Sequence, residues 1–132
     1  MPDIPADLRY SKDHLWVRPD DDAGLVRVGV TDFAQQSLGD VIDMTMPRPG
    51  DTVKANEACG DIESVKSVSD LIAPVTGTVR ARNDDLAGTP ELVNIDPYGR
   101  GWMLEIETNP VTLSQQLAAL MDARAYRDLV GA

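Results

Sequence analysis

A mostly β fold with terminal helices is what this sequence predicts, and three observations predict it. Two segments, Val53 to Ile62 and Leu71 to Ala81, read as strands on either side of a central stretch, so that Lys66 falls at or beside the tip of a hairpin. Gly101 to Glu107 sets Trp102, Leu104 and Ile106 against Met103, Glu105 and Glu107, the period of two of a strand with one buried face. Beyond Pro110 the period changes, and Leu113, Leu117, Leu120 and Met121 recur at helical spacing. With 132 residues, the chain has room for one domain and one modest core. Residues 1–132 are read as that domain, with a core hairpin at about 50–83 and a C-terminal helical segment at about 112–130.

Taken in order, Pro2 and Pro5 among acidic residues suggest an extended lead with little helix. Leu15 to Arg18 and Leu25 to Val30, separated by Pro19-Asp20-Asp21-Asp22-Ala23-Gly24, make a β-hairpin with a loose loop. Thr31 can cap a short helix through Phe33 and Gln36, with Gly39 just past its end. Val41 to Met46 is another strand, halted by Pro47 and Pro49. Asn83 to Pro90 is a connecting loop on composition, Glu91 to Asn94 is short and partly apolar, and Asp96-Pro97-Tyr98-Gly99 is a turn. Thr112 three residues before Gln115 resembles a capping box, and Asp122 is placed to cap a last helix carrying Tyr126 and Leu129. The Leu113 stripe is expected to pack on the sheet rather than to await a partner.

The stretch Gly60-Asp61-Ile62-Glu63-Ser64-Val65-Lys66-Ser67-Val68-Ser69-Asp70-Leu71 is the centre of interest. A lysine at a loop tip is ordinarily only solvated. Two features set Lys66 apart: the chain has 3 lysines against 9 arginines, and the tip is flanked by Val65 and Val68, which are not turn formers. The arms echo each other, since Gly50 to Asn56 and Val75 to Asn83 each give Val, a cation and Ala soon after a Gly. Two similar β units around one lysine suggest a quasi-symmetric, flattened barrel with that lysine at one end.

A formal charge of -10 argues against nucleic acid and anionic membranes as partners and favours partners with basic docking faces. One cysteine, Cys59, excludes an intramolecular disulfide and a multi-cysteine metal site. No secretory signal or bilayer-spanning run is evident, which leads to an expectation of a cytoplasmic protein. A conventional active site is hard to assemble from one histidine and one cysteine, without a phosphate loop or a nucleophile elbow. His14 and Cys59 could pair only if the fold joined them, and the runs Asp20-Asp21-Asp22 and Asp84-Asp85 read as solvated loop charge. What remains is covalent carriage on an amine.

The run Gly60 to Gly77, GDIESVKSVSDLIAPVTG, resembles the attachment segment of the glycine cleavage H proteins, whose common form is G-x-V-E-S-V-K-A-x-S-D-L-Y-x-P-V-S-G. Counterparts extend through Tyr10 to Val17, Val28 to Gln35, Leu38-Gly39-Asp40, Pro90 to Asn94, Asp96 to Gly99 and Gly101-Trp102. The resemblance implies a barrel-sandwich fold of the lipoyl and biotinyl-domain kind. It implies a carrier subunit rather than an enzyme, with lipoic acid attached as an amide to Lys66. A lysine amine with a pKa of about 10.4 is a weak nucleophile at neutral pH, so a lipoate ligase or lipoyl/octanoyl transferase must deliver an activated acyl group. Dihydrolipoamide dehydrogenase is implied as a further partner. Glu63 and Asp70, three residues before and four after Lys66, are candidate recognition charges, or merely keep the tip soluble. Asp70 also matches the family aspartate near which the arm's end can dock.

This chain departs from the family at one position that matters. H proteins usually read His-Glu-Trp where it has His14-Leu15-Trp16, and the resemblance places that glutamate in the cleft receiving the loaded arm, holding the amine of an aminomethyl cargo. Leu15 cannot do so. Ala58-Cys59, Ile72 and Asp43-Met44 also differ from the usual residues, and Cys59 is either a small core residue or a thiol working beside the arm. These differences lean the reading towards H-like lipoate-binding proteins that carry sulfur for a heterodisulfide-reductase-like complex in sulfur oxidation. The alternative is the aminomethyl carrier serving glycine decarboxylase and aminomethyltransferase. A biotin carrier fits less well, because that family sets methionines beside its lysine where Val65 and Ser67 stand, and an unmodified interaction module would leave Lys66 bare.

Overall fold

The computed structural model describes residues 2–20 and 24–132, so the expectation for Asp21 and Asp22 lies outside the described residues. Two antiparallel sheets, neither closed on itself, pack around the main core. The first runs in the order β1 (Arg9–Tyr10), β2 (Leu15–Pro19), β3 (Leu25–Val30), β9 (Leu104–Glu107), β8 (Gly77–Arg82), β5 (Thr52–Val53). The second is β4 (Val41–Thr45), β6 (Ala58–Ser64), β7 (Val68–Ile72). Val17, Val28, Val79 and Ile106 from the first sheet meet Val41, Ile62 and Leu71 from the second in one buried cluster. Leu113, Leu117 and Leu120 pack against that cluster, as the helical stripe predicts.

The two strands expected around Lys66 are each broken in two. Val53 to Ile62 divides into β5 and β6 because Asn56 takes φ 68 and the chain turns there, with Glu57 N donating to Lys54 O at 3.1 Å. Leu71 to Ala81 divides into β7 and β8 at the buried residues Ala73-Pro74-Val75, where proline offers no N–H to a ladder. At these two corners the chain changes sheets, and Asn56 N to Ala73 O at 2.8 Å ties one corner to the other. The echo is thereby explained: β5 and β8, its two halves, pair antiparallel with Thr52 opposite Thr78 and Val53 opposite Gly77.

Helix α1 (Asp32–Leu38) starts and stops as read, with Thr31 Oγ1 accepting from Ala34 N at 3.1 Å and Gly39 at φ 75. The loop expected over Asn83 to Pro90 instead holds a helical turn, α2 (Asp85–Gly88), which buries Leu86; a second, α3 (Leu92–Ile95), buries Leu92 and Val93. Single apolar anchors in polar company carry no period, which is why composition missed them. Helix α4 (Pro110–Ala118) begins two residues before the expected capping box. Asn109 caps it, Pro110 fills the first position where no donor is needed, and Thr112 Oγ1 donates to Asn109 O at 3.2 Å. Helix α5 (Ala123–Val130) is capped by Asp122 as expected. Met103, read as outward-facing, is fully buried in the main core: the regular strand begins only at Leu104, so Met103 lies outside its alternation.

Candidate functional site

Hairpin β6–β7 presents Lys66 at its tip with the side chain exposed. The turn is built on Ser64, whose buried hydroxyl accepts from Lys66 N at 3.2 Å and Ser67 N at 3.3 Å, while Ser64 N donates to Ser67 O at 2.8 Å. This local hydroxyl-to-backbone pattern does the work that turn-forming residues usually do, and lets Val65 and Val68 sit at the tip. Val65 N donates to Asp40 O at 3.0 Å, so the tip is also tied to the corner after α1. Lys66 lies over that corner. A Cβ built on Gly39 would stand 3.3 Å from Lys66 Cε, and Gly39 is at positive φ besides, so this position suits glycine twice over. Asn94 on α3 fixes the corner by donating from Nδ2 to Gly39 O at 2.7 Å and accepting at Oδ1 from Val41 N at 2.9 Å.

Beside this corner opens a cleft of about 210 Å³ between the hairpin, α1 and the β2–β3 pair. Leu15, Val30, Phe33, Ala34, Leu38, Ile62 and Leu71 give it apolar walls, while Asp13, His14 and Asp70 are its charged or titratable members. Leu15 is 3% exposed, so the residue that departs from the family pattern is a wall of the cleft and not a surface substitution. Asp70 joins it; Glu63 does not, but stands exposed on the hairpin opposite Asp43 and Val68. Cys59 is half-buried at the opposite end of β6 from Lys66, packs against the main core, and lines a separate hollow with Pro47 and Lys54. Burial pushes its thiol pKa up, which keeps it protonated, and the fold brings it neither to the cleft nor to His14.

Ser64, Asn94 and the conformation of His14 are the parts of the site that sequence reasoning missed. The available signal was slight: Ser64 sits within the resembling run, and Asn94 ends another. His14 is at φ 69, and burial holds its imidazole below the ordinary 6.5 against the opposing pull of Asp13. A histidine kept neutral in the folded state contributes stability above the unfolded pKa and loses it as pH falls through the folded one. Urea unfolding midpoints should therefore drop between about pH 7 and about pH 5, and His14→Asn should flatten that part of the dependence.

The geometry thus sets an exposed amine, on a tip fastened through Ser64 and Asp40, beside an apolar cleft. The family model described as Glycine cleavage H-protein matches residues 8–131. The chain belongs to the glycine cleavage H-protein family. It is 53% identical over 127 residues to the glycine cleavage system H protein of Mycolicibacterium vanbaalenii, covering 96% of each chain. The corresponding protein of Mycobacterium avium is also 53% identical, over 128 residues and 96% of each chain. The crystal structure of a glycine cleavage system H protein from Mycobacterium marinum superposes with a TM-score of 0.87 at 37% identity, covering 98% of this chain and 100% of that one. An H protein is a lipoyl carrier subunit that works with partner enzymes and is not itself a catalyst. Among the described residues no helix is long and apolar enough to cross a membrane.

Proposed function

We propose that the chain is a single lipoyl-carrier domain of the glycine cleavage system, bearing lipoic acid on Lys66 and carrying an aminomethyl group between glycine decarboxylase and aminomethyltransferase. The observation that carries this reading is the exposed Lys66 amine held over Gly39, next to a cleft whose walls are aliphatic and aromatic. The residues fit the group: an acyl chain ending in a dithiolane is apolar, and the cleft offers it Leu15, Phe33, Ala34 and Leu71. When attached, lipoic acid supplies a disulfide that reduction opens to a dithiol able to hold a one-carbon fragment. The protein's own part is to present Lys66 Nζ for acylation by a lipoate ligase or lipoyl/octanoyl transferase, and to shield the loaded end from water. Tethering adds a high local concentration at each partner in turn, dihydrolipoamide dehydrogenase included.

The differences at Leu15, Ala58-Cys59, Ile72 and Asp43-Met44 do not carry a sulfur carrier: Cys59 lies away from the cleft, and Asp13 and Asp70 line it where Leu15 supplies no carboxylate. The names of the relatives support the aminomethyl reading as well. Intact-protein mass after co-expression with a lipoate ligase tests the carrier reading: a lipoyl increment is expected, and an unchanged mass or a biotin increment would sink it. Loading tests the cargo. Glycine decarboxylase should load the lipoylated protein, and Leu15→Glu, by adding a charge-assisted hydrogen bond worth about 1.5–3 kcal/mol, should shift the loading equilibrium roughly tenfold or more towards the aminomethyl form. A native protein that refuses the aminomethyl group would overturn the cargo assignment.

A further inference from the structure

We infer that Tyr126, on the C-terminal helix, is a positioning residue for the cleft, holding His14 and the start of α1 in place through its hydroxyl. The inference rests on the reading of the cleft as the resting place of the Lys66 arm.

Tyr126 is fully buried. Its Oη lies 2.9 Å from His14 Nδ1 and 2.7 Å from Thr31 Oγ1. Each of these partners governs one wall. Thr31 caps α1, the helix that supplies Phe33, Ala34 and Leu38 to the cleft. His14 is itself a cleft residue, precedes Leu15, and packs on Phe33 with ring centroids 4.9 Å apart. His14 and Thr31, at the two chain ends of the β2–β3 hairpin, therefore meet at one phenol oxygen supplied by the C-terminal helix.

His14 also has a backbone that needs holding. A non-glycine residue in the left-handed region is strained, by an amount that surrounding contacts must offset. The contacts are present: His14 N donates to Ser11 O at 3.1 Å, Thr31 N donates to His14 O at 3.0 Å, and Leu15 N donates to Ser11 Oγ at 3.1 Å. Among the described residues the Tyr126 hydroxyl is the ring's one hydrogen-bond partner, beside the packing of the ring on Phe33. Tyr126 in turn is fixed by stacking on Tyr10 at 4.7 Å and by the backbone exchange of Tyr10 with Met121, which clips the segment before α5 to β1. An element remote from Lys66 in sequence thus sets the shape of the space beside it.

The test uses the full-length lipoylated protein, its modification confirmed by intact mass, so that failure of the Lys66 reading shows before this inference is tried. The probe is the rate at which a water-soluble phosphine reduces the lipoyl disulfide, relative to free lipoamide. Wild-type protein should be protected, and Tyr126→Phe, which keeps the stacking and removes one oxygen, should lose about three- to tenfold of that protection, the value of one hydrogen bond. Asp122→Ala, which weakens α5 through its cap without touching the cleft, should retain it. His14→Asn, a residue that tolerates the left-handed backbone, should lose protection like Tyr126→Phe and covers the case in which that variant does not fold. His14 is the only histidine, so its ring signals in NMR are unambiguous and should move in Tyr126→Phe even without lipoylation. An unprotected wild-type arm, full protection in Tyr126→Phe or in His14→Asn, equal loss in Asp122→Ala, or unmoved His14 signals would each overturn the proposal.

Discussion

Lys66→Arg should abolish the lipoyl mass increment entirely while leaving the fold and its unfolding midpoint as they were. Arginine keeps the charge and the exposed position, and Lys66 makes neither of the ion pairs found among the described residues, which join Arg27 to Glu105 and Arg82 to Asp84. What is removed is the amine. A guanidinium stays protonated under any condition a ligase works in and cannot accept the acyl group. Glycine-dependent exchange by the reconstituted system should fall to the level seen with no carrier. Acylation at another lysine in this variant would count against the assignment. Lys12 and Lys54 are the only others, both exposed, so modification of either would show that exposure alone suffices and that the Ser64 turn selects nothing.

Gly60→Ala should unfold the lysine hairpin or destabilise the whole protein by about 3 kcal/mol, the upper part of the range for forcing an extra methyl into packed structure. A Cβ at this position would lie 2.1 Å from Thr45 O and 3.1 Å from its carbonyl carbon, and backbone atoms cannot swing aside as a side chain does. Gly60 sits at the irregularity where the pairing of β6 with β7 shifts between Ala58 and Gly60, with β4 pressed against its other edge. The added methyl must therefore part β4 from β6. Urea denaturation measures the loss directly, and a midpoint within experimental error of wild type would show that the strands separate at little cost. Lipoylation gives a second readout, since the turn that presents Lys66 depends on both β6 and the Asp40 corner beside β4.

These two substitutions mark different depths of the same motif. The exposed position of Lys66 is legible because its environment is local: a charge flanked by Val65 and Val68 at the end of a hairpin, inside a run whose likeness to H proteins is dense. The caps at Thr31 and Asp122 are legible for the same reason, since a hydroxyl or carboxylate answering an N–H three residues on needs no distant partner. The cap expected at Thr112 loses to a local competitor: Pro110 opens the helix and Asn109, just before it, accepts from Val111 N. Met103 is on the phase for solvent in the sequence, but it precedes β9, whose alternation would enforce that phase, and packs into the core instead.

Period, turn chemistry and the resembling run, written within a few residues of one another, are enough to read a mostly β member of a carrier family with Lys66 on a hairpin tip. Packing is what gathers Leu15, Asp13, Asp70 and the walls from α1 into one cleft, leaves Cys59 in a separate hollow, and brings Tyr126 to His14 and Thr31. The reason is that a cleft is a relation between elements. Its electrostatic character depends on which carboxylates the packing collects, and no spacing along the chain records that Asp13, in the turn before β2, and Asp70, on β7, should line the same cleft as Leu15.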